Sequence, residues 1–297
     1  MYYNSNFDLP VYVNKFIKYL HRCNYSEETI YGYTADLKIF SEFIYNEYQG
    51  QVLVEQLTRN DILDYMVYLQ NIKKYKPNSV YRHLSSLKSF YRFMFDELNI
   101  KDNVAARVKH QKVYIPLPPI LDIEEMEKLL KTAGEYSLYF FVLLSTLYYT
   151  GSRITPVVTL LKKNVDFKDE KIYFPKIKGG EDLYLPMHEK LVPILREFID
   201  NHPAPAYPYV FHSPRNPGES IDPQTVRMHL KKITKLAGIE KRVTPHIIRH
   251  CTATHLTLAR VEQKFIMSIL GQRDLRSPAR YQQLVVDNLR DSVNLLP

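Results

Sequence analysis

Four short stretches of this 297-residue chain carry side chains that could act together chemically. In His246-Ile247-Ile248-Arg249-His250 the positions i, i+3 and i+4 share one helical face, so two imidazoles and a guanidinium converge. Ala253 continues that face with a small side chain. Thr150-Gly151-Ser152-Arg153 places an arginine just past a helix-ending glycine, where the apolar segment before it holds the backbone still. Lys178-Gly179-Gly180 puts a lysine at a turn whose glycines supply the positive φ of a tight hairpin. Ser277-Pro278 is a cap-and-proline device just ahead of Tyr281. Each stretch also has a plainer reading: a surface helix with basic residues, an arginine at a helix C-terminus, a solvated turn lysine, and one packing tyrosine among 24. His246 and His250 have the spacing of zinc ligands, but no Glu stands beside His246, and Arg249 between them would repel a dication.

The elements that must position these residues read as two domains with a linker: 1–105, 106–119 and 120–297. In the first, Tyr12, Val13, Phe16, Ile17 and Leu20 share a helical face. Ser26 caps a second helix along Ile30, Tyr33, Leu37, Phe40 and Ile44. Thr58 with Asp61 forms a capping box for a third. After Pro77 a fourth carries Val80, Leu84, Leu87, Tyr91, Met94 and Leu98 on one stripe, with Arg82, Ser85, Ser86, Ser89 and Arg92 on the other side. Four short amphipathic helices make a small bundle. The prolines at 116, 118 and 119 resist helix and sheet, which marks the linker. Asp122 with Glu125 restarts helix, with Gly134 as its stop, and Tyr136 to Tyr149 reads as a buried helix. Lys171–Ile177 and Asp182–Leu185 read as strands of a hairpin, followed by helices at Lys190–Ile199 and Pro223–Ala237. Thr244-Pro245 opens the helix bearing His246, and Gly271 closes the next. The expected class is mainly α with a small β-sheet, α+β overall.

Composition sets the outer bounds. Hydrophobic residues at 45% and charged residues at 24% exclude global disorder. No apolar run reaches the roughly 18–20 residues of a membrane span, so no membrane partner is expected. Two cysteines, Cys23 and Cys251, cannot build a disulfide framework, and a reduced, cytoplasmic setting is expected. A net charge of +8 favours a polyanionic partner.

Taken in order, Thr-Gly-x-Arg, a hairpin lysine, His-x-x-Arg-His, Leu-Gly-x and a late tyrosine resemble the tyrosine recombinase (phage integrase) family, most closely its short Xer-like members. Gln272, after Leu270-Gly271, lies 23 residues beyond Arg249, and Tyr281 follows nine residues later. The run Thr244 to Leu256 is family-like throughout, and the helical first third fits the family's core-binding, SAM-like domain. The resemblance implies a site-specific recombinase that cuts and rejoins strands through a 3′-phosphotyrosyl link. It needs neither metal nor ATP and has no cofactor. A mobile element, DNA inversion and Xer-like resolution are the roles left open; a non-catalytic DNA-binding regulator and a type IB topoisomerase are the alternatives. Tyr281 would be the nucleophile, with Arg153 and Arg249 clamping the non-bridging oxygens. Lys178 would be the acid for the leaving oxygen, and His246 a proton acceptor or phosphate donor. His250 would orient the others from behind.

Two residues depart from the family. Gln272 stands where histidine or tryptophan is usual and can still donate a hydrogen bond, and Pro156 replaces an acidic residue common in members. The expected partner is a double-stranded DNA recombination site, bound by a dimer per site and a tetramer in synapsis. A second recombinase or accessory protein is left open, and a nucleoid-associated location is expected. Candidate DNA contacts are Arg82, Ser86, Ser89 and Arg92 on one helix and Gln224, Arg227, Lys231 and Lys232 on another. The terminal apolar stripe of Leu284, Val285, Leu289, Val293 and Leu296 is expected to dock on a neighbouring protomer.

Overall fold

A computed structural model describes residues 6–109, 119–177 and 181–271. The chain separates into two compact units, Met1–Ile115 and Pro116–Pro297.

The first unit is a helical bundle: α1 (Leu9–Arg22), α2 (Glu27–Glu47), α3 (Arg59–Asn71) and α4 (Pro77–Leu98). Its starts are set by local side chains. The Ser26 hydroxyl accepts from the Thr29 N–H at 3.3 Å. Thr58 donates its N–H to Asp61 at 2.6 Å, and the Asn60 N–H donates back to Thr58 Oγ1 at 3.2 Å. Pro77 opens α4, and Asn99 ends it in the left-handed region at φ 54°. Phe16, Phe40, Phe90 and Leu37 are sealed in the core, with Phe16 edge-on to Phe90 at 5.6 Å.

Two sequence expectations need correction here. The helices are not all short, since α2 and α4 run 21 and 22 residues. Ser86, expected on an exposed polar face, is buried at 3% exposure. The reason is that α4 buries a wide arc: Phe90 and Phe93 turn inward beside the expected stripe, and His83 and Ser86 are carried in with them.

The second unit begins with α5 (Ile123–Tyr136) and α6 (Leu138–Thr150). Gly134 does not stop α5; the helix runs through it to Tyr136. The break falls at Ser137, whose extended backbone (φ −173°) ends one helix and begins the next. The buried helix therefore starts at Leu138 rather than Tyr136. After α7 (Ile154–Val158) come β1 (Val165–Asp166), β2 (Lys171–Ile177) and β3 (Glu181–Pro186), an antiparallel sheet in the order β1-β2-β3. Ile172 and Phe174 pair with Leu185 and Leu183, and Ile172, Phe174 and Leu185 face the core. The alternate residues Tyr173 and Tyr184 stack outside at 4.7 Å, which is the two-residue period of a half-buried sheet. The ladder shifts register between Phe174 and Ile177, around Pro175, which has no N–H to give. β1 is two residues long, too short to leave a periodic signal. The turn at 178–180 lies outside the described residues.

Helices α8 (Leu191–Asp200), α9 (Pro223–Leu236), α10 (Pro245–Leu258) and α11 (Gln263–Leu270) complete the unit. Asp222 caps α9 and Thr244 caps α10, each followed by proline. The α6 helix lies at the centre: Val142, Leu143, Leu144 and Leu147 have no exposure. Among the described residues no helix is long and apolar enough to cross a membrane.

Burial, the leading cause in each case, lowers the pKa of His83, His212, His229, His246 and His255. The folded chain keeps these rings neutral, whereas the unfolded chain takes up protons near the ordinary value of about 6.5. Stability is thus full above that value and falls as pH drops through it, because the unfolded state then binds more protons. Urea midpoints measured from pH 7.5 to 5 are expected to decline below about pH 6.5, ahead of carboxylate titration. A flat profile across that window would contradict the neutral assignment.

Candidate active site

The α6 helix ends where the site begins. Gly151 takes φ +58° as its C-cap, a conformation that favours glycine. A Cβ there would come within 2.8 Å of Leu270 Cδ2 and 3.1 Å of Thr252 Cγ2. Gly151 is therefore a point of close approach of α6 to α10 and α11. Two residues on, half-buried Arg153 is the N-cap of α7. Pro156 falls in the first turn of α7, where a missing N–H costs nothing.

Arg249 fastens this junction. It is 4% exposed, and its Nη1 donates to the Gly151 carbonyl at 2.9 Å while Nη2 donates to the Leu270 carbonyl at 2.8 Å. Both carbonyls sit at helix C-termini, where a cation offsets the dipole. One guanidinium thereby ties the backbone leading into Arg153 to the backbone leading into Gln272. The face expected on α10 divides: Arg249 and Ala253 turn inward, His250 is intermediate, and His246 is exposed at the rim. The rings of His246 and His250 lie 5.9 Å apart. Partial desolvation, then the cations of Arg249, Arg153 and Arg227, push the His246 pKa down. The imidazole is thus neutral near pH 7 and able to accept a proton. No third His, Cys, Asp or Glu joins the two histidines in a metal-holding group among the described residues.

Sequence reading assigned Arg227 only to a DNA surface. On α9 it is exposed, its Nη1 donates to Gln224 at 3.4 Å, and its charge acts on His246. Its distance from position 246 along the chain hid this. Gln224, Lys231 and Lys232 are exposed on the same helix.

A further support was also missed. His255, one turn beyond Cys251 on α10, donates from Nε2 to the Leu121 carbonyl at 2.9 Å. A carbonyl only accepts, so Nδ1 accepts from the Tyr148 hydroxyl at 2.8 Å. The Leu121 N–H donates to Cys251 Sγ at 3.3 Å, and Lys241 Nζ donates to the Ile120 carbonyl at 3.0 Å. Thr252 Oγ1 donates to the Tyr148 carbonyl at 2.7 Å. Burial pushes the Cys251 thiol up to about 11, so its sulfur serves as a hydrogen-bond acceptor for Leu121 rather than as a nucleophile. Together these bonds lock α10 to the end of α6 and to the start of the unit. Lys178, Gln272, Tyr281 and the terminal stripe lie outside the described residues.

A helical bundle followed by an α+β unit that gathers Arg153, His246 and Arg249 at one helix junction has clear counterparts. The family described as "Phage integrase family" matches residues 119–286, and "Phage integrase, N-terminal SAM-like domain" matches residues 12–100. The tyrosine recombinase XerC of Leptospira interrogans serogroup Icterohaemorrhagiae serovar copenhageni (strain Fiocruz L1-130) is 30% identical over 285 residues, covering 93% of this chain and 90% of its own. The crystal structure of XerA recombinase superposes with a TM-score of 0.56 at 26% identity, covering 97% of this chain and 99% of that one. A lambda integrase dimer bound to a COC′ core site gives a TM-score of 0.72 at 18% identity, covering 90% and 95%, a likeness of fold. The chain belongs to the phage integrase family. Its activity is that of a tyrosine recombinase, which cuts and rejoins DNA strands through a tyrosine nucleophile and without a metal ion.

Proposed function

We propose that this chain binds a double-stranded recombination site and breaks one strand at a time with Tyr281. The tyrosine oxygen attacks the phosphorus, the bond to the 5′-oxygen breaks, and a 3′-phosphotyrosyl link remains beside a free 5′-hydroxyl. His246, neutral near pH 7, takes the phenolic proton. Lys178 gives a proton to the leaving oxygen. Arg153 and Arg249 stabilise the charge that builds on the non-bridging oxygens, with Gln272 as a neutral hydrogen-bond donor and His250 steadying the α10 face. Because the new ester conserves the phosphodiester energy, the reverse attack by another 5′-hydroxyl rejoins strands without ATP.

The observation that carries this reading is the Arg249 guanidinium, which binds the Gly151 and Leu270 carbonyls at 2.9 and 2.8 Å. It supports a single site by tying Gly151, two residues before Arg153, and Leu270, two residues before Gln272, to the His246 helix. DNA contacts are assigned to Arg82, Ser89 and Arg92 on the bundle and to Gln224, Arg227, Lys231 and Lys232 on α9. Two protomers bind each site and four form the synapse, with the terminal stripe docked in trans, in a nucleoid-associated, cytoplasmic setting. Mobile-element recombination, DNA inversion and Xer-like resolution all use this chemistry.

The test is covalent capture. Duplexes selected by the full-length protein from a randomised library are nicked at successive positions, so that a short 5′-hydroxyl strand diffuses away after cleavage. A protein–DNA adduct that resists denaturant and forms in chelator is expected. Binding with no adduct at any nick position would leave a DNA-binding protein and defeat the assignment.

A further inference from the structure

The buried polar group least expected in the bundle is Asp36. It lies on the apolar side of α2 and is 3% exposed. Its Oδ2 accepts from Arg82 Nη1 at 2.6 Å and from Ser86 Oγ at 2.7 Å. Its Oδ1 faces His83 Nε2 at 3.2 Å, and His83 Nδ1 in turn meets the Tyr65 hydroxyl at 2.9 Å. His83 is 1% exposed, and the Arg82 side chain, 54% exposed, is the one member of this cluster that reaches solvent.

We propose that Arg82 reads the major-groove edge of a guanine, and that Asp36 is the positioning residue that holds its guanidinium for that purpose. This rests on the reading of the α4 face as a DNA surface. Two physical arguments carry it. First, Arg82 cannot swing away without leaving a buried carboxylate short of a donor, which is costly, so its rotamer entropy is already spent before DNA arrives. A fixed planar fork with one terminal nitrogen directed inward presents its remaining edge in a defined direction, as guanine O6 and N7 require. Second, Asp36 cancels the monopole of Arg82. A phosphate contact works chiefly through net charge and counterion release, whereas a base contact works through direction. A neutralised, immobilised arginine is poorly suited to the first and well suited to the second.

The experiment uses the full-length protein and a randomised duplex library. Wild type is expected to select a half-site with a G·C pair at one position, where any other pair weakens binding by roughly 5–150-fold. Arg82→Ala is expected to flatten preference at that position alone, leaving selection at the other positions as in wild type. Arg82→Lys retains the charge but lacks the fork, and is expected to flatten the same preference with the slope of log affinity against log salt unchanged. Asp36→Asn is expected to lose the same preference while gaining affinity for unrelated duplex, with a salt slope steeper by about one unit. A purely structural role for Asp36 moves neither base preference nor slope in that direction. Because Arg82 lies at the surface, its two variants carry the test even where Asp36→Asn fails to fold. A uniform loss across all sequences with a slope shallower by about one unit makes Arg82 a phosphate contact and overturns the proposal alone. Unchanged affinity and unchanged selection remove this face from the DNA, which overturns both the proposal and the reading beneath it.

Discussion

Tyr281→Phe is expected to bind DNA as wild type does and to form no covalent adduct. The substitution removes one oxygen from a ring that is otherwise kept, so shape and apolar contact persist. The nucleophile is lost outright, because a phenyl ring has no atom to offer phosphorus. By analogy with other enzymes that lose a covalent nucleophile, strand cleavage should fall by ~10⁴-fold or more. Two measurements on one preparation suffice: gel shift for affinity and denaturing electrophoresis for the adduct. Adduct formation by the phenylalanine variant at a wild-type rate would place the nucleophile at another of the 24 tyrosines. Loss of binding together with the adduct would give Tyr281 a structural part.

Arg249→Ala is expected to cost both stability and rate, for separable reasons. Removing the guanidinium leaves the Gly151 and Leu270 carbonyls without their donor. An orphaned buried acceptor costs about 1–3 kcal/mol, so a fall of several degrees in the unfolding midpoint is expected for a unit of this size. The cleavage rate should fall by ~10²–10³-fold, the usual cost of removing a donor to transition-state charge. Arg249→Lys separates the effects further. It keeps the charge, but an ammonium cannot span two carbonyls with a planar fork. The lysine variant should therefore stay well below wild type in single-turnover cleavage. A lysine variant cleaving at the full rate would show that charge alone suffices and that the junction does not position the site.

What the sequence disclosed about this fold was what is decided locally. Ser26, Thr58 with Asp61, Asp222 and Thr244 mark helix starts because each bonds an N–H two or three residues away. Gly151 and Gly271 mark ends because each takes the left-handed conformation, at φ 58° and 57°. Gly134 shows where this logic fails: it has an ordinary helical backbone, and the break was set instead by the extended Ser137. The order of Arg153, His246 and Arg249 was legible as a resemblance, but their meeting point was not. It depends on a guanidinium reaching a carbonyl 98 residues away. Likewise, His255 reaches Leu121 across 134 residues, and nothing near position 255 announces a partner. Ser86 was misplaced because a stripe assigned to one side of α4 underestimates how many neighbours a central helix has. Asp36 offered a readable signal, a carboxylate one position before Leu37 on a face otherwise apolar, that pattern counting passed over.

Leu121 has both its amide hydrogen and its carbonyl committed to α10, through Cys251 and His255. A backbone segment gripped at both polar groups cannot slide independently of what grips it. Traction on the chain at that point must either rupture two bonds or carry the helix with it. The segment at Leu121 and the rod that bears His246 and Arg249 thus move as one body with the end of α6, to which Arg249, Thr252 and His255 hold that rod.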